Sequence, residues 1–118
     1  MSTRTYAPKP FTKHALDSVQ FGYIFDDEIL PSGVTISSVT TPVITVAEGT
    51  STTALTLSGA AANVAVFTDD EGRSVGIARA VRATTAGGTA GVIYRVAITV
   101  TASNGEIYTG VWTVSVEG

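Results

Sequence analysis

At 118 residues, with 44% apolar and 14% charged side chains, the chain has the size and composition of one domain with its own core, and not those of a disordered segment. Seven Lys plus Arg against ten Asp plus Glu give a net charge of −3, which argues against an extensive nucleic-acid surface. No apolar run approaches the ~20 residues of a membrane-crossing helix, the start lacks the apolar stretch of a secretory signal, and the absence of cysteine removes disulfide and thiol chemistry.

Arg4, Lys9 and Lys13 make the first sixteen residues basic, with no acid among them. Pro8 and Pro10 each remove an amide donor and restrict the preceding residue, so residues 1–14 read as an extended arm and residues 15–118 as the folded body. In "ALDSVQFGYIFDDEIL", Phe21, Tyr23 and Phe25 alternate with period two, which predicts a strand. "PSG" is a turn, and "VTISSV" places Val34 and Ile36 on one face of a second strand. "PVITV", "TALTL" and "NVAVF" follow as further short strands, with "AEGTST" as a turn between the first two. "TDDEGR" has hairpin-turn chemistry, Gly72 supplying positive φ. "SVGIARAVRATT" reads as a strand through alternating Val75, Ile77, Val81 and Ala83, although Ile77 and Val81 also have helical spacing.

The strongest signal lies at the end. Val92, Tyr94, Val96, Ile98 and Val100 face one way, Arg95, Thr99 and Thr101 the other. Asn-Gly at Asn104 and Gly105 marks a hairpin with both turn residues at positive φ, and the returning strand buries Tyr108, Trp112, Val114 and Val116. About seven or eight short strands with no convincing helix predict an antiparallel β-sandwich of immunoglobulin-like type, with a small barrel as the alternative.

Candidate chemistry is sparse. "GGTAG" (Gly87, Gly88 and Gly91 within it) lacks the spacing and the following helix of a phosphate loop and reads as a tight turn into a strand. "GRSVG" matches a nucleophile elbow around Ser74, but an elbow needs a following helix, and His14 is the sole histidine available as a base. The acidic triplets Asp26-Asp27-Glu28 and Asp69-Asp70-Glu71 carry two or three oxygens each toward a cation site, and adjacent acids in turns are more often simply solvated. His14 without a second histidine or a cysteine cannot build a zinc site. Arg73, Arg79 and Arg82 sit near acids that offset any polyanion patch. No catalytic residue, metal ligand or cofactor is expected.

"YIFDDEILPSGVTISSVT" and "AGGTAGVIYRVAITVTASNGEIYTGVWTV" resemble a family of small tailed-bacteriophage virion proteins, the phage fiber-tail adaptor proteins. Leu30, Gly33 and Ile36 occupy its first motif; Gly87, Gly88, Gly91, Tyr94 and Gly105 occupy its second. The match covers about half the chain, and the stretch from Thr53 to Ala83 is longer than the family pattern. The resemblance implies an immunoglobulin-like domain present in many copies on a virion, without enzymatic activity. The expected role is docking at the head-tail or neck region and linking fibers or other appendages to the particle. Arg4, Tyr6, Lys9, Phe11, Lys13, Phe21, Tyr23 and Phe25 are the expected docking residues, aromatic anchors with basic contacts around them. Gly33, Gly87, Gly88, Gly91, Tyr94, Gly105 and Trp112 are expected to serve turns and core. The expected partners are portal, adaptor, capsid or fiber proteins and further copies of this chain in a homo-oligomer, without contact to nucleic acid or membrane. Capsid decoration and carbohydrate binding for host attachment are the competing readings.

Overall fold

In the computed structural model, which describes residues 5–6, 11–25, 29–68, 72 and 74–118, the strands run β1 (Thr5–Tyr6), β2 (Phe11–His14), β3 (Val19–Ile24), β4 (Ile36–Val39), β5 (Val43–Glu48), β6 (Leu55–Ala62), β7 (Phe67–Thr68), β8 (Ser74–Val75), β9 (Ala80–Gly87), β10 (Ile93–Ala102) and β11 (Ile107–Glu117). The larger sheet is built on the β10–β11 hairpin. One flank of β11 carries β1 and β2, both parallel to it, and the far flank of β10 carries β4 and β5, both antiparallel. The second sheet has the order β3–β9–β6, and β7 and β8 form a separate two-stranded hairpin. Because β1 and β2 share one position and β4 and β5 another, the two sheets hold seven strand positions, and the all-β sandwich expected from the strand spacing is what forms.

The core lies between the sheets, and period-two alternation explains who enters it. Val96, Ile98 and Val100 of β10 and Tyr108, Trp112, Val114 and Val116 of β11 point inward, together with Val92 and Tyr94. Tyr23, Leu55, Val81 and Ala83 face them from the other sheet. Each Val, Leu and Ile among them contributes about 1.5–3 kcal/mol through removal of apolar surface from water. Trp112 is the hub: its ring centroid lies 5.3 Å from Tyr23 and 5.1 Å from Phe25. It leans over Gly110, whose inward position has to stay empty because a Cβ there would overlap the indole.

Four expectations need correction. Residues 63–66 are a loop, so the "NVAVF" strand shrinks to its last residue in β7. "SVGIARAVRATT" is two strands broken by a turn at Gly76–Arg79, where Ala78 adopts φ 57° and Ile77 is 55% exposed. The final hairpin forms, but Gly105 alone takes positive φ (82°). Its amide bonds the Ala102 carbonyl, and Ala102 N–H bonds the Glu106 carbonyl, giving a three-residue loop with Gly105 at the left-handed bulge position. The fourth concerns the arm. Phe11–His14 is a strand of the larger sheet, with Phe11 stacked on Phe21 at 4.4 Å and edge-on to Tyr23 at 5.2 Å, so the body includes residues assigned to a separate arm.

Candidate functional site

The glycine turn before β10 is a structural joint. Gly87, Gly88 and Gly91 have φ of 73°, 90° and 83°, which L-residues with side chains rarely adopt. Gly88 N–H bonds the Ala54 carbonyl and Gly91 N–H bonds the Val116 carbonyl, so these amides serve the fold. Two residues into β10, the Tyr94 hydroxyl accepts from Thr89 N–H at 2.8 Å, lies 3.0 Å from the Thr53 carbonyl and 2.8 Å from Ser51 Oγ. Burial raises the Tyr94 pKa, but the hydrogen bonds with Ser51 and Thr89 outweigh it and hold the phenol below its ordinary value. The second-motif residues thus tie the 51–54 and 87–91 loops together.

The expected docking residues divide. Tyr23 and Phe25 are fully buried against Trp112, and exposing them would dismantle the core, so they are not surface anchors. Phe21 and Phe11 are half-buried and stacked on each other. Lys13 is only 2% exposed. Its Nζ donates to the carbonyls of His14 at 2.7 Å, Gly87 at 2.8 Å and Ala15 at 3.4 Å, and so joins β2 to the end of β9 in the opposite sheet. It is a tie between sheets, corrected from a surface contact. Tyr6 is placed by its pairing with Gly110, while Arg4 and Lys9 lie outside the described residues. Both acidic triplets and Arg73 also lie outside them. Ser74 is exposed in β8 and is followed by a turn and β9, so no elbow geometry surrounds it. His14 is exposed, its Nδ1 accepting from Leu16 N–H at 3.4 Å.

The remaining arginines behave differently from one another. Arg79 donates to the Leu30, Pro31 and Val34 carbonyls and acts as a brace behind β4. Arg82 points out from the three-stranded sheet. Its register partners there are Gly22 on β3 and Ala61 on β6, so small residues leave room on both sides. The Phe67 ring fills the Gly22 side, where a Cβ would come within 3.1 Å of it, and the Arg82 guanidinium lies over that ring, 4.8 Å from its centroid. Arg82 Nε is buried without an acceptor. On the Ala61 side an open groove of about 310 Å³ is lined by Gln20, Gly59, Arg82 and residues 61–66. Val64 and Val66 in this lining are 90% and 59% exposed.

Sequence reasoning placed Arg82 in a charge-balanced surface and missed the groove. Its legible signal was a lone arginine on the outward parity of a strand whose inward residues are Val81 and Ala83. The flanking Gly22 and Ala61 become neighbours through non-local pairing. Among the described residues no group of His, Asp or Glu is arranged to hold a metal ion, and no helix is long and apolar enough to cross a membrane. Comparison with protein-family models, with curated proteins and with solved structures finds no match for this chain.

Proposed function

We propose that this chain is a non-enzymatic structural protein of a tailed-bacteriophage virion, an immunoglobulin-like domain that docks at the head-tail or neck region and links fibers or other appendages to the particle. The observation that carries the reading is where the resembling motif residues sit. Leu30 and Ile36 are in the core, Gly33 and Gly105 take positive φ in turns, and Gly87, Gly88, Gly91 and Tyr94 form the loop joint. Each of these roles builds a framework, as expected of a protein whose work is to be a rigid link. The strand order supports the immunoglobulin-like assignment. With β3, β5, β6, β9, β10 and β11 in the places of strands B to G, β3–β9–β6 corresponds to B–E–D and β5–β10–β11 to C–F–G. Tyr94, near the start of β10 and bonded to backbone five residues upstream, sits as a tyrosine corner does.

The burial pattern narrows the docking surface on this reading. Tyr23, Phe25 and Lys13 are committed to the fold, which leaves the outer faces and free edges of the sheets to meet neighbours. Imaging of intact particles purified from cells that express this chain, at a resolution that traces its strands, tests the proposal. The chain is expected in tens of copies around the neck or fiber attachment region. Hundreds of copies spread over the shell would replace the adaptor role with capsid decoration, and purified particles lacking the chain would end the virion reading altogether.

A further inference from the structure

Arg82 presents a cation whose contact among the described residues is the face of the Phe67 ring. Its Nε is desolvated without an acceptor. A guanidinium with no acceptor at its buried nitrogen leaves its positive charge unneutralised, and an anion binding beside it supplies the missing counter-charge. The Phe67 ring beneath the guanidinium and the small residues at Gly22 and Ala61 hold the fork at the floor of an open groove. A planar fork of parallel N–H donors matches a carboxylate better than any other common anionic group of a protein.

The walls say more about the ligand. Val64 and Val66 present aliphatic surface to solvent beside Arg82, and Gln20 adds an amide at the margin. The groove has no aromatic side chain in its lining, so it lacks the stacking platform on which a sugar ring usually rests. Gly59, Ala61 and Ala62 of the lining belong to β6, the edge strand of its sheet, which leaves main-chain groups beside the groove for an extended chain to pair with.

We propose that this groove binds an extended acidic peptide segment, with a glutamate or aspartate carboxylate on Arg82 and an aliphatic neighbour against Val64 and Val66. The site stands on Arg82 and its surroundings whether or not the chain belongs to a virion, and the test uses the purified chain alone. Acetyl-Ala-Glu-Val-amide is titrated into the ¹⁵N-labelled chain while the Arg82 Nε–H resonance and the amides of Gln20 and residues 61–66 are followed. A saturable shift at these positions is expected, weakened at least about tenfold when the peptide carries Gln in place of Glu and again in Arg82→Gln. Since Arg82 also packs on Phe67, Val64→Asp provides a second variant at a position with no core role. It places a carboxylate on the wall and is expected to abolish peptide binding with the spectrum otherwise preserved. Equal binding of the Gln peptide, no shift at Arg82, or undiminished binding by Val64→Asp would overturn the proposal. Tighter binding of glucuronic acid than of the peptide would overturn the peptide assignment.

Discussion

The β10–β11 hairpin and the stretch from Gly59 to Ala80 are held by different physics. In the hairpin, Ile93 to Thr101 pair without a break with Ser115 to Ile107, and alternate side chains fill the core, so packing and ladder do the stabilising together. In the second region the register slips between Ser58 and Ala61, two strands are only two residues long, and Ala78 sits at positive φ. What organises it is one side chain. Asn63, 4% exposed, donates through Nδ2 to the Ala65 and Gly76 carbonyls at 2.9 and 2.8 Å. Its Oδ1 accepts from the Arg79 and Ala80 amides at 3.1 and 3.0 Å. Where a strand pattern is absent, a buried amide that satisfies four backbone groups takes its place.

The comparison can be broken first on the packing side. Gly110→Ala puts a methyl group where the Trp112 ring lies, with Ile29 Cδ1 only 3.0 Å from it, and the centre of the core has no slack to absorb this. A loss of about 4 kcal/mol or more in urea-unfolding free energy is expected, as one cooperative transition of the whole chain. A change under 1 kcal/mol would mean that Trp112 is not fixed over Gly110.

On the other side, Asn63→Asp keeps the shape but turns two donors into acceptors facing the Ala65 and Gly76 carbonyls. About 3 kcal/mol of destabilisation is expected. Its distribution matters more than its size: amide exchange should accelerate from residue 63 to residue 80 well before it does in β10 and β11. Uniform acceleration would show that the irregular region is not a separate cooperative unit.

This contrast also accounts for what could be read from the sequence. Val92 to Val116 was legible nearly residue by residue because local alternation and burial agree there. The burial of Tyr23 and Phe25 was visible as alternation too, yet their aromatic area alone suggested an interface. What separates a core anchor from a surface anchor is the Trp112 ring reaching them from the other sheet. Asn63 and Lys13 were not legible because their partners, Gly76, Arg79 and Gly87, come together only through the completed topology. The Arg82 groove was hidden for the same reason.

A pH experiment sharpens the comparison from within the core. Burial raises the Tyr23 pKa to about 12, partly offset by the 2.8 Å hydrogen bond with Thr85. Since the folded value lies above the unfolded value of about 10, the folded chain keeps a proton that the unfolded chain gives up. The contribution is whole below about pH 10 and is lost as pH rises toward 12, amounting to about 3 kcal/mol. Chemical denaturation between pH 9 and 12 should show this decline, and Tyr23→Phe should flatten it at a cost of about 1 kcal/mol at neutral pH. An equally steep decline in Tyr23→Phe would assign the alkaline sensitivity elsewhere.

The smallest expected effect has the opposite sign. Ala78, at φ 57°, is held from both sides: its N–H bonds the Asn63 carbonyl at 2.9 Å while its own carbonyl accepts from Ile36 N–H at 2.8 Å. The left-handed conformation costs alanine about 1–2 kcal/mol, which glycine avoids, whereas glycine loses about 0.4–1 kcal/mol more through its freer unfolded chain. The first effect is larger. Ala78→Gly is therefore expected to raise stability by about 0.5 kcal/mol, visible as a rise of a few degrees at most in Tm. The gain depends on the Asn63 scaffold: in an Asn63→Asp background, where the turn is no longer held in place, the same substitution should become neutral or destabilising. Equal stabilisation in both backgrounds would mean that the backbone at Ala78 is set by its neighbours in the chain, and that Asn63 does not hold the turn.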